Sequence, residues 1–389
     1  MNAFKSLGDG KVIEIESGKT IFRLDSHEKN PIVRPQMLGL TWREKGELKI
    51  GAVFNGGAGF FGDKTILLPR CHRNYRKGRF FDERLGRERD SLENYISEVW
   101  PLISNNGIDF TRYQNVAIRS DGTDHQDFTY GIEDIRIIRY EKGYLLVGCG
   151  KIEPPFKGSN ADRIAIYSTK DFANITYHGI VEPFDSRNAV PFPEQVNGNL
   201  YILLRFHPNI HIGLLKAGIN QLLNPSKHRD RWEEIYEKRS ENLLLRAGLH
   251  LHEKEKIGPG PQLIKTEKGW LLIYHAVGKI DINICKAYGL ARSIDRGYSI
   301  CAALLDLNDP RKVICRTQSP IYIPSAPYEL YGNKEYPVDV PAVVFPVGAV
   351  VVLNRLLIYA GAGDKYIILL GCRLDKLIDY LLEHCHLLH

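Results

Sequence analysis

Residues 267–275 read EKGWLLIYH, a polar turn closed by Gly269 and followed by an apolar run that ends on a histidine. A short apolar run behind a glycine turn is the signature of a buried strand. The phrase returns four more times, as GDKTILLPR (62–70), EKGYLLVGC (141–149), VNGNLYILLR (196–205) and VLNRLLIYAG (352–361). Behind four of the five comes a second strand-like run: RIAIYSTKDF (163–172), IHIGLLKAG (210–218), YSICAALLDLNDP (298–310) and KYIILLGCRLD (365–375). Each unit therefore predicts a hairpin. Helical periodicity is confined to Asp90–Trp100 and to LDKLIDYLLEH at 374–384. Five similar sheet units must dispose of their strand edges, and a radial arrangement does so. The expectation is an all-β fold: one domain over 1–389, a five-bladed β-propeller with a short helical insertion at about 82–100 and a C-terminal helix.

Composition sets the outer limits. A chain of 389 residues, 43% hydrophobic and 25% charged with mean hydropathy −0.25, can bury a large core, which excludes disordered and collagen-like classes. The longest apolar stretch, Pro341–Leu353, holds two prolines and falls short of the roughly 20 residues that cross a bilayer, so no membrane partner is expected. The N-terminal residues lack the apolar centre of a secretory signal. Seven cysteines without a CxxC pair suit reduced, buried thiols, and a cytoplasmic location is expected. Of the net charge of +6, the segment Arg70–Arg89 supplies +5, eight basic residues against Asp82, Glu83 and Glu88. The rest of the chain is nearly neutral, which argues against a nucleic-acid partner.

Chemistry-bearing residues are dispersed, one or two per unit, as a radial fold requires. VFNGG (53–57) and LLPR (67–70) put Asn55 and Arg70 at the ends of one hairpin. YGIEDIRI (130–137) sets Glu133 beside Asp134, just before Arg136. Neighbours on a regular strand point to opposite faces, so these two are not expected to act as a facing carboxylate pair. A turn at Asp134, or its salt bridge with Arg136, is the plainer alternative. SRNAVPFPEQVNG (186–198) brings Arg187 and Glu194, Arg205 ends the next strand beside His207, and Lys256 and His275 flank a Gly/Pro-rich turn. If they converge, Arg187, Arg205, Lys256 and His275 form an anion site; singly, each reads as a solvated surface charge.

Those same stretches carry a resemblance. VFNGGAG with LLPR, YGIEDIRI, RNAVPFPEQVNG, KIGPGPQLIKTEKGWLLIYH, GYSICAALLDLNDPRKVI, VPAVVFPVGAV and IYAGAGDKYI resemble glycoside hydrolase family 130, the β-mannoside phosphorylases, from about residue 50 to the C-terminal helix. The resemblance implies a five-bladed propeller that transfers a β-mannosyl unit to inorganic phosphate, with inversion, giving α-mannose 1-phosphate and a released sugar. It gives Asp134 the role of general acid, passing its proton through a hydroxyl of the bound mannose. Arg187, Arg205, Lys256 and His275 take the phosphate, and Asn55, Arg70, Tyr298 and Asp364 line the mannose and phosphate pocket. No metal or organic cofactor is implied, and a homo-oligomer is expected. To hold a proton near neutral pH, Asp134 needs burial or a neighbouring negative charge.

The chain departs from the family pattern in places. Ile135 stands where the family has proline, and Leu204-Arg205-Phe206 keeps the arginine of a His-Arg-Pro element but loses its histidine. Cys71–Trp100 reads as an insertion beside Arg70, expected to shape the acceptor side or a contact between subunits. An inverting β-mannosidase, a nucleotide-sugar mannosyltransferase and a non-catalytic sugar- or protein-binding propeller are the rival readings; the retained basic residues argue against the first. HCHLLH (384–389) reads as a terminal tail rather than a metal site. Trp270 and Tyr274 read as core, Gly258 and Gly260 lie in a proline-interrupted turn that cannot be a dinucleotide loop, and no nucleophile elbow is present.

Overall fold

The computed structural model describes residues 7–83, 86–119, 130–152, 162–332, 336 and 340–385. Five antiparallel sheets of four or five strands dominate it, and each is built around one of the five repeated phrases. Sheet I runs Ala52–Phe61, Lys64–His72, Leu102–Ser104 and Thr111–Arg112, with Glu98–Val99 also paired to its second strand. Sheet II is Ile132–Tyr140, Gly143–Lys151, Asp162–Thr169 and Ile175–Val181; sheet III is Arg187–Pro191, Leu200–Phe206, Asn209–Leu215 and Leu243–Leu245. Sheet IV consists of Lys256–Pro259, Trp270–Ile280, Ile294–Leu305 and Val313–Arg316, with Ile264–Lys265 beside its second strand. Sheet V takes Val344–Val352, Arg355–Ala362 and Tyr366–Arg373, then recruits Asp25–Ser26 from the start of the chain as its outer strand.

The repeated phrases are second strands because their apolar residues must bury both faces. In sheet I the consecutive residues Ile66, Leu67 and Leu68 are all 0% exposed, as a strand packed on two sides demands. Trp270 and Tyr274 are core, as expected from sequence. Neighbouring sheets touch in ring order, I to II, II to III, III to IV, IV to V and V back to I. The first strands come close enough that side chains are excluded. A Cβ on Gly57 would lie 2.3 Å from the Ile135 carbonyl oxygen, and one on Gly348 would lie 2.6 Å from backbone atoms of Gly56 and Ala58. Buried polar struts cross the same region. Gln262 Nε2 donates to the Ala58 and Ala349 carbonyls, and the fully buried Arg136 donates to the carbonyls of Asp134, Pro259 and Gly260 and to Asn188 Oδ1.

Two helical expectations separate here. Leu374–His384 is the C-terminal helix, packing Tyr380 on Phe22. Asp90–Trp100 is not helical: Arg76–Asp82 pairs with Arg87–Glu93 as a two-stranded hairpin, and Glu98–Val99 joins sheet I. Cross-strand pairing with residues 76–82 overrides the local helical pattern. The helix Arg229–Glu237, which buries Trp232 and Ile235, was not among the sequence expectations. All seven cysteines are buried and unpaired. Among the described residues no helix is long and apolar enough to cross a membrane, and no cluster of His, Cys, Asp and Glu could hold a metal ion. Residues 386–389 of the terminal HCHLLH lie outside the described residues.

Candidate active site

One end of the sheets gathers the site, because the register sets the start of each first strand against the end of the second. Phe54 faces Arg70, Arg187 faces Arg205, Gly258 faces His275, and Val277 in turn faces Tyr298 on the third strand. Asp364 occupies the turn between the second and third strands of sheet V.

Three first strands carry a bulge at this end, between Phe54 and Gly57, between Glu133 and Arg136, and between Arg187 and Val190. The residues that take positive φ there are Asn55 (52°), Asp134 (51°) and Asn188 (61°). Asn and Asp enter this left-handed region more readily than other side-chain-bearing residues, and a bulge re-aims the side chain it holds. The consequence corrects the expectation from strand alternation. Glu133 and Asp134 do not diverge but meet the same two cations, because the bulge breaks the alternation between them.

Arg70 Nη1 lies 2.9 Å from Glu133 Oε2, and its Nε lies 3.5 Å from Asp134 Oδ1. Arg187 Nη2 donates to Glu133 Oε2 at 2.7 Å and to Asp134 Oδ2 at 3.1 Å. Asn55 Nδ2 donates to Asp134 Oδ1 at 3.1 Å. Arg136 does not form the salt bridge considered from sequence; it holds the Asp134 carbonyl oxygen at 2.7 Å from a wholly buried position. Behind Arg187 a third acid, Asp162, lies 3.6 Å from Nη1 and is itself paired with Lys151.

The electrostatics follow from this set of partners. Burial alone would push the Glu133 carboxyl up, yet Arg70, Arg187 and Lys151 hold it down at about 2. Asp134 is likewise buried, and Arg70 and Arg187 outweigh both burial and the Glu133 charge to keep it below its ordinary value. Without phosphate, burial and the neighbouring Glu133 charge are therefore not enough to hold a proton on Asp134. Asp364 behaves in the opposite way: burial, with Asp134 and Glu133 adding to it against Arg70, pushes it up to about 6.

Across the site the balance is positive. Among the described residues Arg205 and Lys256 have no carboxylate within ion-pair distance; burial and then Arg187 lower Arg205 to about 10, and burial, helped by Arg205 and Arg187, lowers Lys256 against the opposing effect of Tyr298. Lys256 Nζ sits 5.2 Å from the centre of the Tyr298 ring. His275 is fully buried, its ring 4.3 Å from that of Phe345, with neither nitrogen hydrogen-bonded among the described residues. Burial, then Arg205 and Lys256, depress its proton affinity well below the ordinary imidazole range. Two cations without an ion-paired carboxylate among the described residues, beside a neutral imidazole, form a cationic cluster whose charge and donors suit a dianion.

All nine residues singled out from sequence, Asn55, Arg70, Asp134, Arg187, Arg205, Lys256, His275, Tyr298 and Asp364, thus lie at this end and are linked by contact or by electrostatic coupling. Glu194 does not join them; it pairs with Lys265 at an exposed position. Asp162, Lys151 and Tyr95 were missed. Asp162 opens the third strand of its sheet one residue before the run expected from sequence, and Tyr95 hides in the segment read as helix.

Acids clamped by arginines thus lie beside cations that have no carboxylate within ion-pair distance among the described residues. Residues 23–383 match the family model Glyco_hydro_130, described as beta-1,4-mannooligosaccharide phosphorylase, and the chain belongs to this family of enzymes. It is 29% identical over 355 residues to a beta-1,2-mannobiose phosphorylase of Thermoanaerobacter sp. (strain X514), covering 89% of this chain and 96% of the relative. A beta-1,4-mannooligosaccharide phosphorylase of Ruminococcus albus is 29% identical over 204 residues, 52% of each chain. Among solved structures, the Listeria innocua beta-1,2-mannobiose phosphorylase in complex with beta-1,2-mannobiose shares the fold with a TM-score of 0.65 at 23% identity, over 92% of this chain and 99% of that one. A mannose phosphorylase from Leishmania mexicana in complex with a phosphate ion gives 0.53 at 15% identity, over 84% and 86%.

Proposed function

We propose that the protein catalyses reversible, inverting phosphorolysis of β-mannosides, releasing α-mannose 1-phosphate and the leaving sugar. The observation that carries this reading is the uncompensated pair Arg205 and Lys256 with His275, set beside the Arg187-clamped Asp134. A hydrolase would have no use for that charge. The ring order of the sheets supports reading them as the blades of a five-bladed propeller, with the site at one mouth.

In this reading phosphate binds to Arg187, Arg205, Lys256 and His275, while Asn55, Arg70, Tyr298 and Asp364 hold the mannose. A phosphate oxygen forms its bond to the anomeric carbon on one face as the glycosidic C–O bond breaks on the other. The proton goes from Asp134 to the departing oxygen. Phosphate itself prepares the acid: its negative charge competes for Arg187 and repels ionised Asp134, so the carboxyl that is ionised without phosphate gains a proton when phosphate binds. The residues present require no metal or organic cofactor for these steps. The buried, unpaired thiols fit a reducing, cytoplasmic setting, and a homo-oligomer is the expected assembly, to be checked by light scattering.

Linkage and leaving sugar are tested in the synthetic direction. α-Mannose 1-phosphate is offered with mannose, glucose or N-acetylglucosamine, and released phosphate and product linkage are read. A β-1,2- or β-1,4-mannoside with phosphate release supports the reading. No product from any of the three acceptors counts against it.

A further inference from the structure

We infer that the inserted segment Cys71–Trp100 reaches the active site through Tyr95, just beyond the returning arm of its hairpin, and that Tyr95 is a positioning residue that holds Glu133 and Arg70 in the arrangement that serves Asp134. The inference rests on the phosphorylase reading and adds to it a residue from the segment that follows no family landmark.

The geometry is specific. The Tyr95 hydroxyl donates to Glu133 Oε1 and accepts from Arg70 Nη1 at 3.0 Å, so one phenol joins the two groups that flank Asp134. Burial, then the Glu133 charge, keeps the phenol protonated far above neutral pH, so it acts as a donor to a carboxylate that has no proton of its own. The Tyr95 ring is held in turn by the insertion's own aromatic cluster. His72 packs 4.8 Å from it and Tyr75 meets it edge-on at 6.4 Å, while Phe54 lies beneath the Arg70 guanidinium at 4.1 Å. Burial and the Arg70 charge push His72 down to about 3, so the cluster adds no competing cation beside Arg70.

A hydroxyl that only filled space could be removed without consequence for turnover. Tyr95 instead satisfies the second oxygen of Glu133, whose first oxygen is shared by Arg70 and Arg187. Without it Arg70 loses the hydroxyl that it shares with Glu133, and the two shift together away from Asp134. The effect should fall on the step that uses Asp134 and Arg70 and spare the phosphate pocket at Arg205 and Lys256, which Tyr95 does not touch.

The test is Tyr95→Phe, which keeps the ring and its packing, alone and combined with Glu133→Gln, assayed by mannose 1-phosphate formation. The account predicts that kcat falls roughly tenfold, the size expected for one hydrogen bond to a charged group. The phosphate KM should stay within about twofold, and the circular dichroism spectrum should be unchanged, although the lost bond to a buried carboxylate lowers the melting temperature somewhat. In the double variant the tyrosine change should add nothing to the glutamate change, since it acts through that residue. An unaltered kcat in Tyr95→Phe, or independent multiplication of the two losses, would overturn the inference while leaving the phosphorylase reading intact. Absence of mannose 1-phosphate from the wild type would instead sink the reading on which it rests.

Discussion

Arg187 bridges two carboxylates that are adjacent in sequence, its Nη2 lying 2.7 Å from Glu133 Oε2 and 3.1 Å from Asp134 Oδ2. One cation therefore serves both the acid pair and, in the proposed function, the phosphate. Arg187→Ala should raise the phosphate KM by roughly 10- to 100-fold, corresponding to about 1.5–3 kcal/mol for a charged hydrogen bond. Arg187→Lys should recover only part of it, because a single ammonium cannot meet Glu133 and Asp134 and also reach Asp162, which lies 3.6 Å from the other arm of the guanidinium, Nη1. Initial rates against phosphate concentration decide this.

Asp134→Asn keeps the size of the side chain and the bulge geometry but removes the transferable proton. Turnover should fall at least about 100-fold, the lower end of what a general acid contributes, while the circular dichroism spectrum stays unchanged. Activity within a few-fold of wild type would move the acid to another residue.

The Asp364 carboxyl, raised by burial to about 6 from an ordinary value of 3.8, makes a prediction about stability. Between those values the folded chain holds a proton that the unfolded chain has released, so stability falls as pH rises through this window and stays lowered above it. Asp364→Asn removes that dependence. Relative to wild type it should melt higher at pH 8 than it does at pH 4, although its place in the pocket should cost activity. Thermal melts of both proteins across this range provide the check.

Arg136 ties sheets II, III and IV through Asp134, Asn188, Pro259 and Gly260, with no carboxylate partner among the described residues. Replacing it with Met leaves buried carbonyl oxygens without donors, each costing about 1–3 kcal/mol. Arg136→Met should therefore lose at least ~3 kcal/mol in a urea titration, and Asp134 should lose its alignment along with it.

How much of this was legible in the chain depends on the range of the forces involved. The five repeated phrases became the second strands of five sheets because a turn residue followed by a doubly buried apolar run is encoded locally. The nine residues that gather at one end of the sheets were legible as candidates through the motifs that surround them. Residues 90–100 misled because Leu92 and Tyr95 are spaced as on a helix, whereas the partner strand at 76–82 is visible only once the chain has folded back. The convergence of Glu133 and Asp134 was hidden for a related reason: period-two alternation is the right rule for a regular strand, and only the bulge suspends it. The positive φ at Asn55, Asp134 and Asn188 is the one local signal, since these residue types accept it. The contacts of Arg187 with Asp162 and of Glu133 with Tyr95 join distant parts of the chain and leave no trace in spacing.

The central claim is that phosphate, not water, receives the mannosyl unit. The most direct measurement incubates the wild-type protein with β-1,2- and β-1,4-mannobiose, with and without inorganic phosphate, and resolves mannose 1-phosphate from free mannose by phosphorus and proton NMR. The account predicts α-mannose 1-phosphate formed only when phosphate is present. Free mannose appearing at the same rate with or without phosphate would contradict it.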